Sequence, residues 1–157
     1  MKEQKTNVMR ILDQKKIPYE HRQYPHGDEA VDGLTVARSL GQDPERVFKT
    51  LVARGVSGKY YVFVVPVTGE LHLKKAAKAV GEKSVAMIHV RELLPLTGYV
   101  RGGCSPVGMK KLFPTVFHAS ALEHSAIAVS AGRIGDQVVV DPQKLCELVR
   151  GQFADII

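Results

Sequence analysis

The apolar positions of the chain follow two periods that alternate from one segment to the next. Val8, Ile11 and Leu12 recur at helical spacing behind Thr6 or Asn7, either of which can cap, and Pro18 stops the pattern. Arg10, Lys15 and Lys16 fill the opposite face. Residues 19–24 alternate as a short strand with Tyr24 at its end, and Pro25-His26-Gly27-Asp28 reads as a polar turn. Thr35 is the expected cap of a short helix through Val36, Ala37 and Leu40, closed by Gly41, and Asp43-Pro44 opens another. Residues 47–56 and 60–67 are mostly β-branched, aliphatic or aromatic on either side of a turn at 55–58, which predicts a hairpin with a central strand.

Strong helix formers fill residues 73–80 up to Gly81, setting Lys74 and Lys78 on one face while Leu73, Ala77 and Val80 turn towards another. Residues 84–90 read as a strand and 91–94 as a helical turn. Beyond a glycine-rich loop come three strand-like runs, 115–119, 126–131 and 137–141. Asp141-Pro142 then opens a last helix that buries Leu145, Leu148 and Val149 before Gly151. This order predicts a single domain over residues 1–157, of mixed α/β or α+β class. Its sheet should be largely antiparallel, because few connections are long enough for parallel crossovers.

Composition narrows the function. With 157 residues and 45% apolar content the chain can bury one core. A net charge of +6 makes polyanions more plausible partners than acidic proteins, although a solubilising surface gives the same number. The two cysteines, Cys104 and Cys146, form no C-x-x-C pair and no disulfide framework, and they suit a reducing compartment. The six histidines are scattered, so neither a metal nor another cofactor is expected. The charged start of the chain leads into no apolar signal region, and no apolar run is long enough for a bilayer. A cytoplasmic protein without a membrane partner is expected.

Candidate chemistry gathers in residues 97–111. Gly102 and Gly103 let a ligand approach backbone N–H groups, Pro106 holds Ser105 extended, and exposed N–H groups invite anions. A glycine-rich surface turn explains the same letters. Lys49 interrupts a segment expected to be buried, where an unpaired ammonium is costly, so it should face a cleft or an anion. Lys74, Lys75 and Lys78, with Lys110 and Lys111, are either solvated faces or phosphate contacts beside the loop. Cys104 could be activated by Arg101 or Lys110, but no His or Asp spacing marks a partner for it. Asp136 reads as a turn residue and Asp141 as a helix cap.

Four ordered segments carry a family resemblance: Val47-Phe48-Lys49-Thr50-Leu51; Leu73-Lys74-Lys75-Ala76-Ala77-Lys78; Thr97-Gly98-Tyr99 with Gly102-Gly103-Cys104-Ser105-Pro106-Val107-Gly108; and Val129-Ser130-Ala131-Gly132. Together, from about residue 7 to the C-terminus, they resemble the YbaK family of aminoacyl-tRNA deacylases, related to the editing domain of bacterial prolyl-tRNA synthetase, and its Cys-tRNA(Pro) deacylase branch most closely. The resemblance implies a barrel-like mixed sheet flanked by short helices. It implies hydrolysis of cysteine from mischarged proline tRNA, and from cysteine tRNA as a further candidate, by attack of the substrate's own thiol. Lys49 would position substrate and offset negative charge, N–H groups at Gly102 and Gly103 would hold an oxyanion, and Tyr24, Thr50 and Ser130 would line the pocket. The tRNA acceptor end is the implied partner, with prolyl-tRNA synthetase as a second. Glu70-Leu71-His72 departs from the polar pocket residue of relatives, which leaves alanine or another small amino acid open. A noncatalytic RNA-binding module is the alternative of another class. Lys49 separates the two, because such a module has little reason to set an ammonium in an apolar strand.

Overall fold

A computed structural model describes residues 5–157; the charged segment 1–4 lies outside them. Thr6 caps the first helix, its hydroxyl accepting from the Met9 N–H at 3.3 Å, and α1 (Asn7–Gln14) buries Val8, Met9 and Leu12. The strand β1 (Tyr19–Gln23) leads to α2 (Gly33–Ser39). Here the cap is Asp32 and not Thr35: the Asp32 carboxylate accepts from the Thr35 N–H at 3.0 Å and from its hydroxyl at 2.7 Å. An aspartate three residues upstream competes for the same role and holds the stronger acceptor. Asp43 caps a single 3₁₀ turn, Pro44–Arg46.

The expected hairpin is β2 (Phe48–Gly55) with β3 (Tyr60–Pro66), followed by α3 (Leu73–Val80), which Gly81 closes at φ +75°. The strand β4 (Val85–Met87) is shorter than expected, because α4 (Val90–Thr97) begins earlier and runs longer than one turn. Its first turn is secured by the Glu92 side chain, which accepts from the His89 N–H at 2.8 Å. Then come β5 (Thr115–His118), β6 (Ile127–Ser130), β7 (Asp136–Val140), α5 (Pro142–Leu148) and β8 (Gln152–Ala154). The sequence pattern did not predict β8, a run of three residues directly after Gly151.

The strands form a three-stranded sheet in the order β1-β7-β6 and a five-stranded sheet in the order β4-β2-β3-β5-β8. Pairing is mostly antiparallel. The parallel pairs are β3 with β5 and β5 with β8, each reached over a connection long enough to cross the sheet. The expected barrel is not formed: among the described residues the sheets meet through one parallel bridge, Val47 to Ala128.

Alternation along β2 and β3 divides the interior. Phe48, Val52, Val62 and Val64 join α1, Phe117 and Leu145 in the larger core, while Ala53, Tyr61, Phe63 and Val65 pack with Ala76 and Ala77 of α3 on the other face.

This arrangement leaves a gap along one edge of β2. On one side β3 pairs along its length; on the other, β4 pairs with residues 53–55, and β6, which runs close beside β2, forms a ladder bridge only at Val47. The Ile88 N–H reaches the Val52 carbonyl at 3.3 Å, so the even-numbered residues of β2 aim their backbone groups outward. Thr50, in the middle of the gap, follows that rule.

Candidate active site

Lys49 and Thr50 sit side by side in this gap, on opposite faces of β2. Lys49 is half-buried, with its Nζ 3.8 Å from Oε1 of Glu70, whose side chain is 93% exposed. That is a loose pair with a carboxylate that water can take over, so the ammonium can be offered to a ligand. Thr50 shows the complementary feature. Its Oγ1 is buried and makes no hydrogen bond within the protein, an arrangement that costs about 1–3 kcal/mol unless a bound group repays it. Extending the Val47–Ala128 register sets Ser130 level with Lys49 and on the same side, since Val47 and Ala128 share one small cluster.

The Ser130 hydroxyl accepts from the Gly132 N–H at 3.1 Å and so starts the turn into β7. That turn meets the glycine-rich loop. A Cβ on Gly102, which lies at φ +84°, would fall 2.7 Å from the Ala30 Cβ, and one on Gly103 would fall 3.0 Å from the Arg133 Cα. Glycine is needed at 102 for both space and conformation. The Gly103 N–H, however, donates to the Val100 carbonyl at 2.9 Å. The expected pair of oxyanion donors therefore narrows to Gly102, because the neighbouring N–H closes the loop's own turn.

Tyr24 reaches the same turn: its N–H donates to the Gly135 carbonyl at 3.0 Å. Burial pushes its phenol above the ordinary value, which keeps it a neutral hydroxyl. Two loop residues received no role from the sequence. Tyr99 donates its hydroxyl to the Val107 carbonyl, and Ser105, fully buried, accepts from the Val107 N–H at 3.2 Å. They fasten the loop from inside.

The strongest feature that the sequence hid is Asp136. It is 4% exposed and accepts from Arg133 Nε at 2.6 Å and from Gln23 Nε2 at 3.3 Å, with His21 Nε2 at 2.6 Å. Burial pushes its carboxyl up, but hydrogen bonds from Arg133 and His21 together outweigh that and hold it below the ordinary range. Asp136 is thus more than a turn residue. It pins the turn against which Gly102 and Gly103 rest.

Cys104 is 8% exposed, and burial pushes its thiol up to about 12. Desolvation outweighs any activation by nearby cations, and the group is a thiol at neutral pH, in keeping with the absence of a partner for it in the sequence. The lysines separate. Lys74 and Lys78 are exposed on α3, whereas Lys75 is tied to Asp155 at 2.9 Å and to the Ile157 carbonyl at 2.7 Å. Lys110 approaches the Pro95 carbonyl at 3.4 Å and Lys111 lies over the Phe113 ring, on the opposite face of the five-stranded sheet from α3. The two clusters do not flank one loop, as their spacing had suggested. Among the described residues no three His, Cys, Asp or Glu side chains converge on a possible metal position, and no helix is long and apolar enough to cross a membrane.

Comparison with known proteins fits this geometry. Residues 29–148 match the family described as the aminoacyl-tRNA editing domain. A protein of Enterococcus faecalis (strain ATCC 700802 / V583), provisionally named Cys-tRNA(Pro)/Cys-tRNA(Cys) deacylase EbsC, is 47% identical over 154 residues, covering 98% of this chain and 94% of the relative. Among solved structures, a protein provisionally described as a trans-editing enzyme for prolyl tRNA synthetase superposes with a TM-score of 0.81 at 23% identity, over 98% of each chain. A hypothetical protein superposes with a TM-score of 0.87 at 21% identity, over 96% of this chain and 99% of the other. At these identities the structural matches establish the fold.

Proposed function

Because the chain belongs to the aminoacyl-tRNA editing domain family, we propose that it hydrolyses the ester of mischarged aminoacyl-tRNA in the cytoplasm, with Cys-tRNA(Pro) and Cys-tRNA(Cys) as substrates. The observation that carries this reading is Lys49, a half-buried ammonium held only loosely by Glu70 on the stretch of β2 whose outer edge carries no ladder pairing. A second hydrolytic site is a physical remedy for a synthetase that cannot exclude a similar-sized amino acid, since one or two heavy atoms are worth only about 1–3 kcal/mol in a pocket.

The protein supplies position and charge and leaves the nucleophile to the substrate. The cysteine sulfur attacks its own ester carbonyl carbon, the carbonyl oxygen becomes an oxyanion, and the ribose oxygen leaves with a proton. Water then opens the thiolactone to free cysteine. Lys49 positions the substrate and offsets negative charge, while the Gly102 N–H faces the developing oxyanion. Thr50 Oγ1, Ser130 and Tyr24 orient the aminoacyl group and the terminal adenosine. The raised Cys104 thiol removes the rival nucleophile.

Lys74 and Lys78 contact tRNA phosphates; Lys75, Lys110 and Lys111 are left with weaker claims by their contacts within the fold. A domain of this size reaches the acceptor end and hardly the anticodon, so prolyl-tRNA synthetase is the natural source of tRNA identity. The test is Lys49→Ala. It should fold normally and lose at least about a hundredfold of Cys-tRNA deacylation, the size of one lost electrostatic contact in a transition state. Near-normal turnover in the folded variant would remove Lys49 from the site.

A further inference from the structure

The turn that brings Glu70 to Lys49 is held by residues far from it in sequence. The chain leaves β3 beside Lys49, since Lys49 pairs with Val65 and Phe48 with Pro66. It turns at once: the Gly69 N–H donates to the Pro66 carbonyl at 3.0 Å, and Glu70 reaches back to within 3.8 Å of the Lys49 Nζ. Two further contacts fix this turn, and both come from residues 155–157, after β8. The His72 N–H donates to the Ile156 carbonyl at 2.7 Å. Gly69 lies so close to Ile157 that a Cβ there would fall 3.0 Å from the Ile157 Cδ1. Glu70 thus sits between two residues that both rest on 155–157.

That segment is itself held from two directions. From α3, the Lys75 Nζ donates to Asp155 Oδ2 at 2.9 Å and to the Ile157 carbonyl at 2.7 Å. From the sheet, Ile156, fully buried in the core of Phe63, Val65 and Ala76, donates its N–H to His118 Nδ1 at 3.2 Å. His118 ends β5 and is 9% exposed. A ring nitrogen that accepts from a backbone N–H carries no proton, so this imidazole is neutral with its hydrogen on Nε2. Asp155 Oδ1 lies 3.8 Å from the same Nδ1. A proton there ends the bond with the Ile156 N–H, because both groups then donate, and draws Asp155 in instead. Burial opposes that proton most strongly and Lys75 adds to it, while Asp155 and Glu123 favour it; the balance holds the ring below its ordinary value of 6.5.

We infer that His118 is a positioning residue for deacylation: through Ile156 it holds the 69–72 turn, and with it Glu70, in place beside Lys49. The inference rests on the deacylase reading for the reaction, though not for the contacts. What the turn supplies is orientation, since Glu70 sets where the Lys49 ammonium rests before substrate takes it over. Acid undoes the arrangement, because a protonated His118 releases Ile156.

The experiment compares two variants. His118→Leu removes the acceptor, whereas His118→Asn keeps an acceptor oxygen where Nδ1 stands and does not titrate. Deacylation of Cys-tRNA(Pro) is followed in single turnovers at saturating enzyme, between about pH 5 and pH 8. Dividing the unmodified protein's rate by that of His118→Asn cancels the titration of the substrate thiol. At the alkaline end His118→Leu should be slower by about tenfold, a fraction of what a 1 Å displacement can cost, while His118→Asn stays within about threefold. In acid the unmodified protein should fall relative to His118→Asn, towards the level of His118→Leu. Amide hydrogen exchange in residues 67–72, corrected for its intrinsic pH dependence, should quicken in His118→Leu throughout and in the unmodified protein only in acid. A folded His118→Leu with full rate, unchanged exchange in the turn, or a rate ratio to His118→Asn that is flat across the range would overturn the proposal. The last of these decides even if His118→Leu does not fold. Absence of hydrolysis by the unmodified protein would sink the deacylase reading itself, and exchange, which needs no substrate, would then still report whether His118 holds the turn.

Discussion

Asp136 gives the sharpest prediction about stability, because it is buried and its own hydrogen-bond partners are identified. Asp136→Asn keeps the shape but replaces a carboxylate that meets Arg133 and His21, each at 2.6 Å, by a neutral amide. Breaking a fully buried charge pair costs about 3–5 kcal/mol, but the Arg133 side chain is 41% exposed and regains water when released. The cost should therefore approach that of charged hydrogen bonds, about 2–3 kcal/mol. For a domain of this size that lowers the thermal midpoint by roughly 4–12 °C. The pH dependence adds a second constraint. The folded carboxyl lies below its ordinary value of 3.8, so its stabilisation is present above that pH and is lost as pH falls through the folded value. Urea unfolding at pH 7 and at pH 3 should show the difference between wild type and Asp136→Asn shrinking in acid. A difference below about 0.5 kcal/mol at pH 7, or one that stays constant down to pH 3, would refute the assignment of Asp136 as the clamp of this turn.

Two further predictions concern residues near the site. Cys104→Ala should retain deacylation within about twofold and trap no acyl-enzyme, because a thiol pushed up to about 12 is not a nucleophile at neutral pH; inactivity of a folded variant with a Cys104 adduct in the wild type would reverse this. Lys74→Ala with Lys78→Ala should lower the salt slope of tRNA binding by about 1.4 to 1.8, the loss of two phosphate contacts, and an unchanged slope would make α3 a solvated face.

Local chemistry made much of the fold legible. Thr6, Asp43, Gly81 and Asp141 mark helix ends where the structure places them, since capping depends on neighbours within a few residues. Lys49 was legible for a different reason, as a charge in an otherwise apolar strand. Hidden features depended on distant contacts. Asp136 is 115 residues from His21, and Lys75 reaches Ile157 across 82. Neither spacing leaves a local signal. The occupied Gly103 N–H was misjudged because loop composition does not reveal hydrogen-bond partners. The barrel-like expectation failed because, among the described residues, a single isolated bridge is the only ladder pairing between the two sheets.

The central claim is that the substrate supplies the nucleophile while Lys49 and the Gly102 loop position it. Single-turnover rates on Cys-tRNA(Pro) and Ser-tRNA(Pro), at the same enzyme concentration and pH 7, test it most directly. Serine fits the same volume, but its hydroxyl is a far weaker nucleophile than a thiol already partly ionised. The account predicts rapid loss of cysteine and at least about a hundredfold slower loss of serine, a gap of some 2.7 kcal/mol in the barrier. Comparable rates for the two would contradict it.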